Sequence, residues 1–216
     1  MADEKLQFFV SGGLSISEQL DSAQTEFQSL IKRQPLNYPR ELGEMHPFDF
    51  SITEGIHQKF GFVNAIVEKI VGYVWGAGIF YESENEDAQE VIENWSRDVD
   101  FPSIGRKWTR EGIVKNGYIE LGGKFDEGVQ GIKVIDGKYM YVKRDEKGNV
   151  IGYNQLIKGF QRDFDKEPLK QFNPKNNTGD YIPFNPENIV HLALNQIGDC
   201  AYGYGYIYPN LNTIDG

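Results

Sequence analysis

Cysteine, histidine and methionine are scarce in this chain of 216 residues, and their scarcity limits the sites that the chain can build. The single cysteine, Cys200, cannot form an intramolecular disulfide, and a lone thiol is typical of a reducing compartment. We interpret it as a small residue of the core or of a turn. The three histidines show no His-x-x-x-His spacing and no Cys-x-x-Cys pair accompanies them, so the sequence predicts no local metal site.

A long hydrophobic run and a surplus of basic residues are also missing. The most apolar stretch, residues 66–79, contains Glu68, Lys69 and three glycines, and it falls short of the roughly 20 apolar residues that cross a bilayer. No signal-peptide pattern opens the chain, so we expect a soluble protein without membrane contact. With 32 acidic and 22 basic residues, a formal charge of −10, tight binding to DNA phosphates is not expected either.

Helical spacing dominates the first half of the chain, which at 39% hydrophobic residues overall can supply the core of one sizeable domain. Ser15 with Glu18 and Ser51 with Glu54 form possible capping boxes. Between the first two helices, the proline-bearing residues 36–50 predict an extended connector. The apolar spacing predicts four helices: residues 15–30 with the stripe Ile16, Leu20, Ala23, Phe27 and Leu30, a core helix over 51–74 that Gly76 and Gly78 end, a helix over 83–99 with Trp95 buried, and a helix over 102–115 with Ile104 and Trp108 inward.

Strand patterns follow from Tyr118 onward. The polar run 144–149 is typical of a hairpin loop in which Gly148 takes a positive φ, and Asn116-Gly117 is expected to stop the last helix, with Gly117 in a left-handed cap. Residues 164–178 are interpreted as a long loop or a strand with a mobile tip. Alternating and apolar runs predict strands over 79–81, 118–121, 131–135, 139–142, 150–157 and 188–194.

This order of elements predicts an α+β fold with N-terminal helices followed by a mainly antiparallel sheet. We divide the chain into an N-terminal arm with an amphipathic helix, residues 1–45, and an α+β domain, residues 46–216. No convincing catalytic set emerges. His191 lies within an apolar strand, where a hydrogen-bonded structural role is more typical than catalysis.

Two further motifs contain residue types that occur in catalytic or phosphate-binding sites. Glu120 and Lys124 could belong to a magnesium-dependent nuclease, but the Gly122-Gly123 pair separates them, so the two groups need not share one strand face. The run Tyr202-Gly203-Tyr204-Gly205 lacks the Lys-Ser or Lys-Thr of a phosphate loop and lacks a basic groove for stacked bases. We interpret the first as a strand end and the second as a packed turn whose glycines allow angles unsuited to tyrosine.

The order of the motifs across about residues 50–210 resembles the portal proteins of tailed bacteriophages. Five motifs follow one another in the same order as in that family. They are the helix ending in Gly76-Ala77-Gly78-Ile79, the strand start Asn116-Gly117-Tyr118, the hairpin Asp145 to Val150 with Gly152-Tyr153, the strand Pro186 to His191 and the turn Tyr202 to Pro209. The motif residues are Gly76, Gly78, Gly117, Tyr118, Gly148, His191, Tyr202, Gly203, Gly205 and Pro209.

The resemblance implies a portal wing-like fold and a structural subunit without catalytic, cofactor or metal residues. It implies a homo-oligomer, a dodecameric ring when full length, at the portal vertex of the virion, assembled in the host cytoplasm. Double-stranded DNA would pass through the ring non-specifically, and terminase, capsid and head-completion proteins would be partners. Stem, clip and crown would lie beyond Gly216, so a fragment is expected. The alternatives are a phage-encoded metal-dependent nuclease or hydrolase and a generic capsid or tail interaction module.

Overall fold

The computed structural model describes residues 40–124, 128–157, 169–176 and 178–213. Across these ranges the α-helices come first and the β-strands follow. The helices are α1 (Phe50–Lys59), α2 (Gly61–Trp75), α3 (Glu86–Asp98) and α4 (Phe101–Val114), and the strands are β1 (Gly117–Lys124), β2 (Gly128–Ile135), β3 (Met140–Arg144), β4 (Val150–Leu156), β5 (Tyr181–Phe184) and β6 (Ile189–Leu192).

The strands form two small antiparallel sheets. The first has the order β2-β1-β6 and the second the order β3-β4-β5, and every neighbouring pair is antiparallel. The hairpin between β3 and β4 turns at Gly148, whose φ of 86° is the predicted positive angle. Helices followed by antiparallel sheets confirm the predicted α+β class.

The predicted core helix over residues 51–74 is two helices. Phe60 has extended backbone angles, φ −102° and ψ 104°, and separates α1 from α2. The break escaped the sequence pattern because a single extended residue hardly disturbs the apolar spacing on either side, and the buried Phe60 ring still points into the core. Asp49 rather than Ser51 caps α1, since the Asp49 carboxylate accepts the Ser51 amide hydrogen at 2.9 Å.

The structure also corrects predictions for the segment that joins α2 to β1. Residues 79–81 pair with none of the described strands, and the Phe80 side chain is exposed. Trp95 is half-buried rather than buried, and its indole N–H donates to the Val129 carbonyl at 2.5 Å. Ile104 and Trp108 are half-buried, whereas the buried face of α4 carries Gly105, Thr109, Gly112 and Ile113.

The prediction of a left-handed cap at Gly117 is wrong. Gly117 begins β1, and the residue after α4 is Lys115, with φ −148° and ψ −97°. Glycine is needed at position 117 for space: a Cβ atom there would lie 2.6 Å from the Trp108 carbonyl oxygen.

Two hydrophobic clusters form the core. One joins the sheets to Phe48 and Phe50, and the other packs α2 against α4, with Val67 and Ile113 at its centre. Leu42 is also fully buried, and the carbonyls of residues 41 and 42 accept hydrogen bonds from Asn154. Packing of the domain therefore includes residues just before position 46.

The sequence pattern does not predict β5, because Pro183 within a four-residue run argues against a strand. The structure places β5 at a sheet edge, where a missing amide hydrogen is tolerated. β6 is shorter than predicted. The predicted helix over residues 15–30 lies outside the described residues, as do residues 164–168 and 177 of the predicted loop over 164–178. In the described part of that loop, Asn173 and Thr178 form an antiparallel bridge. No helix in the described part of the chain is long and apolar enough to span a bilayer.

Candidate functional site

Four aromatic rings from separate sequence motifs meet between the two sheets. Tyr118 of β1 stacks on His191 of β6 with ring centroids 4.2 Å apart and planes 12° apart. Tyr153 of β4 meets the edges of Tyr118 and His191 at 6.0 and 6.1 Å, and Tyr202 contacts His191 at 6.4 Å. We call Tyr118, Tyr153, His191 and Tyr202 the aromatic cluster. Edge-to-face and offset contacts of this kind stabilise aromatic pairs beyond simple burial.

Asn116 ties this cluster to the loop after β6. Its side-chain amide donates to the Gly203 carbonyl at 2.9 Å, and its side-chain oxygen accepts the Gly203 amide hydrogen at 2.9 Å. The same oxygen lies 3.0 Å from His191 Nε2. Because an amide oxygen only accepts, His191 must carry its proton on Nε2 and donate it. The sequence pattern predicts only a helix stop at Asn116, because the partners Gly203 and His191 are distant in the chain.

His191 is held neutral by its surroundings. Burial lowers the pKa of His191 to about 4, well below the value of an exposed histidine. A neutral, stacked and hydrogen-bonded imidazole matches the structural role that the sequence predicted for this residue.

The two buried tyrosine hydroxyls of the cluster differ in their partners. The Tyr202 hydroxyl accepts the Val142 amide hydrogen at 2.9 Å and donates to the Glu44 carbonyl at 2.7 Å. The Tyr118 hydroxyl has no hydrogen-bond partner among the described residues. Burial raises the pKa of both hydroxyls, so both are neutral at physiological pH. Tyr202 therefore connects the segment before α1 to β3, while Tyr118 contributes packing alone.

The remaining motif residues have separate positions. Gly205 has a φ of 62°, an angle that favours glycine, and its carbonyl accepts from Asn195 at 2.6 Å. Gly203 lies against the backbone of Leu194, so the run 202–205 is the packed turn that the sequence predicted. The others lie away from the aromatic cluster in the chain: Gly76 and Gly78 after α2, Gly148 in the β3–β4 turn and the exposed Pro209 in a short 3-10 helix.

A buried lysine organises the charges beside the cluster. Lys115 is almost inaccessible to solvent, and its ammonium lies 2.6 Å from Asp136, 3.1 Å from Glu111 and 3.6 Å from Glu54. Burial by itself would lower the pKa of Lys115, but the three carboxylates outweigh it and raise that pKa. The lysine therefore joins the turn after β2 by a charge-assisted hydrogen bond to Asp136, and α4 and α1 by ion pairs with Glu111 and Glu54.

The residues weighed for metal chemistry do not converge. His46 stacks between Phe50 and Tyr141, and its Nε2 lies 2.7 Å from the Met140 carbonyl oxygen. Within the described ranges, no three His, Cys, Asp or Glu residues are grouped so that they could hold a metal ion. Glu120 lies opposite Lys133 on one side and Ile189 on the other, and the Lys124 side chain is outside the described part.

The outer surface has two unusual regions. On α2, Phe62, Ile66 and Tyr73 are 51%, 55% and 75% exposed, although they follow helical spacing. Around α3, residues 82–100 hold eight acidic residues and one basic residue, a net charge of −7 out of the chain's −10. All of these carboxylates except that of Glu93 are exposed.

No protein-family model and no curated protein matches the sequence.

Proposed function

We propose that this chain is a structural subunit of a phage portal ring, the conduit and docking platform at one vertex of the capsid. The observation that carries the proposal is the meeting of four portal-like motifs in the aromatic cluster. These motifs are far apart in sequence, yet they form one core. They are the strand start at Asn116, the hairpin ending in Tyr153, the strand ending in His191 and the turn at Tyr202.

This arrangement favours a structural role for the residues of the aromatic cluster over a catalytic one. Tyr118 and Tyr202 are fully buried, and the imidazole of His191 is neutral and occupied by Asn116. General acid–base catalysis needs a group that can reach a substrate. Residues that hold two sheets together need contacts only with one another. The motifs are thus explained by the contacts that they make between the two sheets.

The charge distribution supports a surface past which DNA slides. Exposed carboxylates around α3 repel phosphates, and a wall that binds DNA weakly avoids the energy wells that lysine and arginine contacts create. In the proposed ring, α3 would face the passage or its rim, and terminase and head-completion proteins would dock elsewhere.

The test combines mass, shape and DNA binding on one sample. Native mass spectrometry and negative-stain electron microscopy of the full-length gene product should show closed rings, and fluorescence anisotropy should show no tight binding of duplex DNA at physiological salt.

A chain that stays monomeric and cleaves DNA with Mg²⁺ or Mn²⁺ would contradict the proposal and favour the nuclease alternative. Glu120→Ala then decides whether Glu120 takes part, and Glu187→Ala, a change at an exposed acidic residue just before β6, serves as the control.

A further inference from the structure

Helix α2 is apolar on two separate faces. Val63, Val67 and Val71 are buried against the rest of the domain. A second face, about 120° round the helix, carries Phe62, Ile66 and Tyr73, each at least half exposed, with the small residues Ala65 and Gly72 beside it. We call this second set the α2 outer face. A helix that is apolar all round is normally covered on all sides, so an occupant for the outer face is expected.

The outer face has the spacing of a helix-pairing surface. Phe62, Ile66, Lys69 and Tyr73 follow one another at four, three and four residues, which is the repeat of two helices packed side by side. Gly72 has no atom within 4 Å of an added Cβ, so a second helix backbone can approach there. The surface therefore fits a helix better than an extended peptide.

The chain itself contains a segment with the same spacing. Ile16, Leu20, Ala23 and Phe27 also recur at four, three and four residues, and Leu30 continues the stripe. Residues 16–27 and 62–73 each span twelve residues, so the two stripes have equal lengths. This segment lies outside the described residues, and its sequence predicts an amphipathic helix.

The charges of the two segments and the length of the chain between them agree with contact between residues 16–30 and the α2 outer face. Residues 15–30 hold three acidic residues and no basic residue. On α2, Glu68 is neutralised by two hydrogen bonds from Arg110, which leaves the charge of Lys69 on the outer face. Residues 31–39 connect the segment to the domain and can span roughly 30 Å, enough to cross a domain of this size.

We propose that residues 16–30 of each chain dock on the α2 outer face of the same chain as an amphipathic helix. A tethered segment has an effective concentration of about millimolar, so it competes well against the same segment of a second copy. This inference does not depend on the portal proposal, because it concerns one chain whether or not rings form.

The test is a cysteine cross-link in the full chain with Cys200→Ser as background. Ala23→Cys is combined with Lys69→Cys, which faces Ala23 when the two stripes run parallel, and in a second variant with Ile66→Cys, which faces it when they run antiparallel. The matched control pairs Ala23→Cys with Asn94→Cys, an exposed position on α3. We expect an intramolecular disulfide in one of these two variants and little in the control. A disulfide-linked dimer, or a substantial intramolecular disulfide in the control at the same yield, would overturn the proposal.

A second measurement covers the case in which disulfide geometry is unfavourable. In Tyr73→Cys, with Cys200→Ser, the docked segment should slow thiol labelling about tenfold relative to the same protein carrying Leu20→Asp. Ser22→Asp adds the same charge off the stripe and should leave the slow rate unchanged. Equal labelling rates with and without Leu20→Asp, at protein concentrations that span a hundredfold range, would reject the docking whatever the oligomeric state.

Discussion

The Asn116 side chain and the Gly203 backbone are joined by two hydrogen bonds across 87 residues of sequence. The pairing imitates that of two strands, because one amide donates to and accepts from the same backbone unit. Both residues are buried, so neither bond is exchanged with water. The end of α4 is thereby fixed to the turn after β6, and the aromatic cluster forms between them.

The two buried tyrosines of the cluster should respond oppositely to loss of their hydroxyls. Tyr202→Phe leaves the Val142 amide and the Glu44 carbonyl without their partner and should lower the free energy of unfolding by about 1–3 kcal/mol. Tyr118→Phe removes a hydroxyl that lacks a partner among the described residues, so it should be neutral or slightly stabilising. Urea unfolding of both variants measures the difference, and equal losses would contradict the assigned contacts.

Stability should fall in mild acid because His191 is neutral in the fold. Its pKa of about 4 lies below the unfolded value near 6.5, so the unfolded state binds more protons between those values. The contribution is fully present above pH 6.5, decreases as the pH is lowered, and levels off below about 4. At pH 5 the loss from this histidine should be about 2 kcal/mol relative to pH 7.5.

His191→Gln tests this origin, since glutamine can donate to Asn116 but does not titrate. Urea unfolding at pH 7.5, 6 and 5 should show a shallower decline for the variant than for the parent chain. Part of the decline should persist, because burial also lowers the pKa of His46 to about 4. Parallel profiles for the two proteins would assign the acid sensitivity to other groups.

Removal of the buried cation should be costly and pH-dependent. Lys115→Met leaves Glu54, Glu111 and Asp136 near one another without their shared partner, and the expected loss is about 3–5 kcal/mol at pH 7. The deficit should shrink toward pH 5, because crowded carboxylates in the folded variant take up protons more readily than unfolded ones. Lys138→Met is the control: its half-exposed ammonium pairs with Glu54 at 3.0 Å and should cost about 1 kcal/mol or less.

Close packing of α2 on α4 should be sensitive to one methyl group. A Cβ at Gly105 would lie 2.0 Å from the ring of Trp75, whose indole N–H donates to Thr109 at 2.8 Å. Gly105→Ala should therefore displace the indole and destabilise the domain by about 1–3 kcal/mol. Gly55→Ala, within α1 and with no atom within 4 Å of the new methyl, should instead stabilise by up to about 1 kcal/mol. Thermal unfolding, with tryptophan fluorescence for Trp75, measures both changes.

Local patterns determined much of this fold. Apolar residues at helical spacing fixed the existence of α3 and α4, and period-two alternation with a turn at Gly148 fixed β3 and β4, because these signals depend on neighbours within one or two turns. The structural role of His191 also followed from its apolar strand. The α+β class then followed from the order of the elements.

Tertiary contacts decided the rest. Phe60 takes extended backbone angles between α1 and α2 although the apolar spacing continues through it, and Gly117 is required by the distant backbone of Trp108. The pairing of Asn116 with Gly203 and the gathering of charges around Lys115 join residues that no local spacing relates. Such contacts depend on how whole elements pack, so they become visible only when the chain is folded.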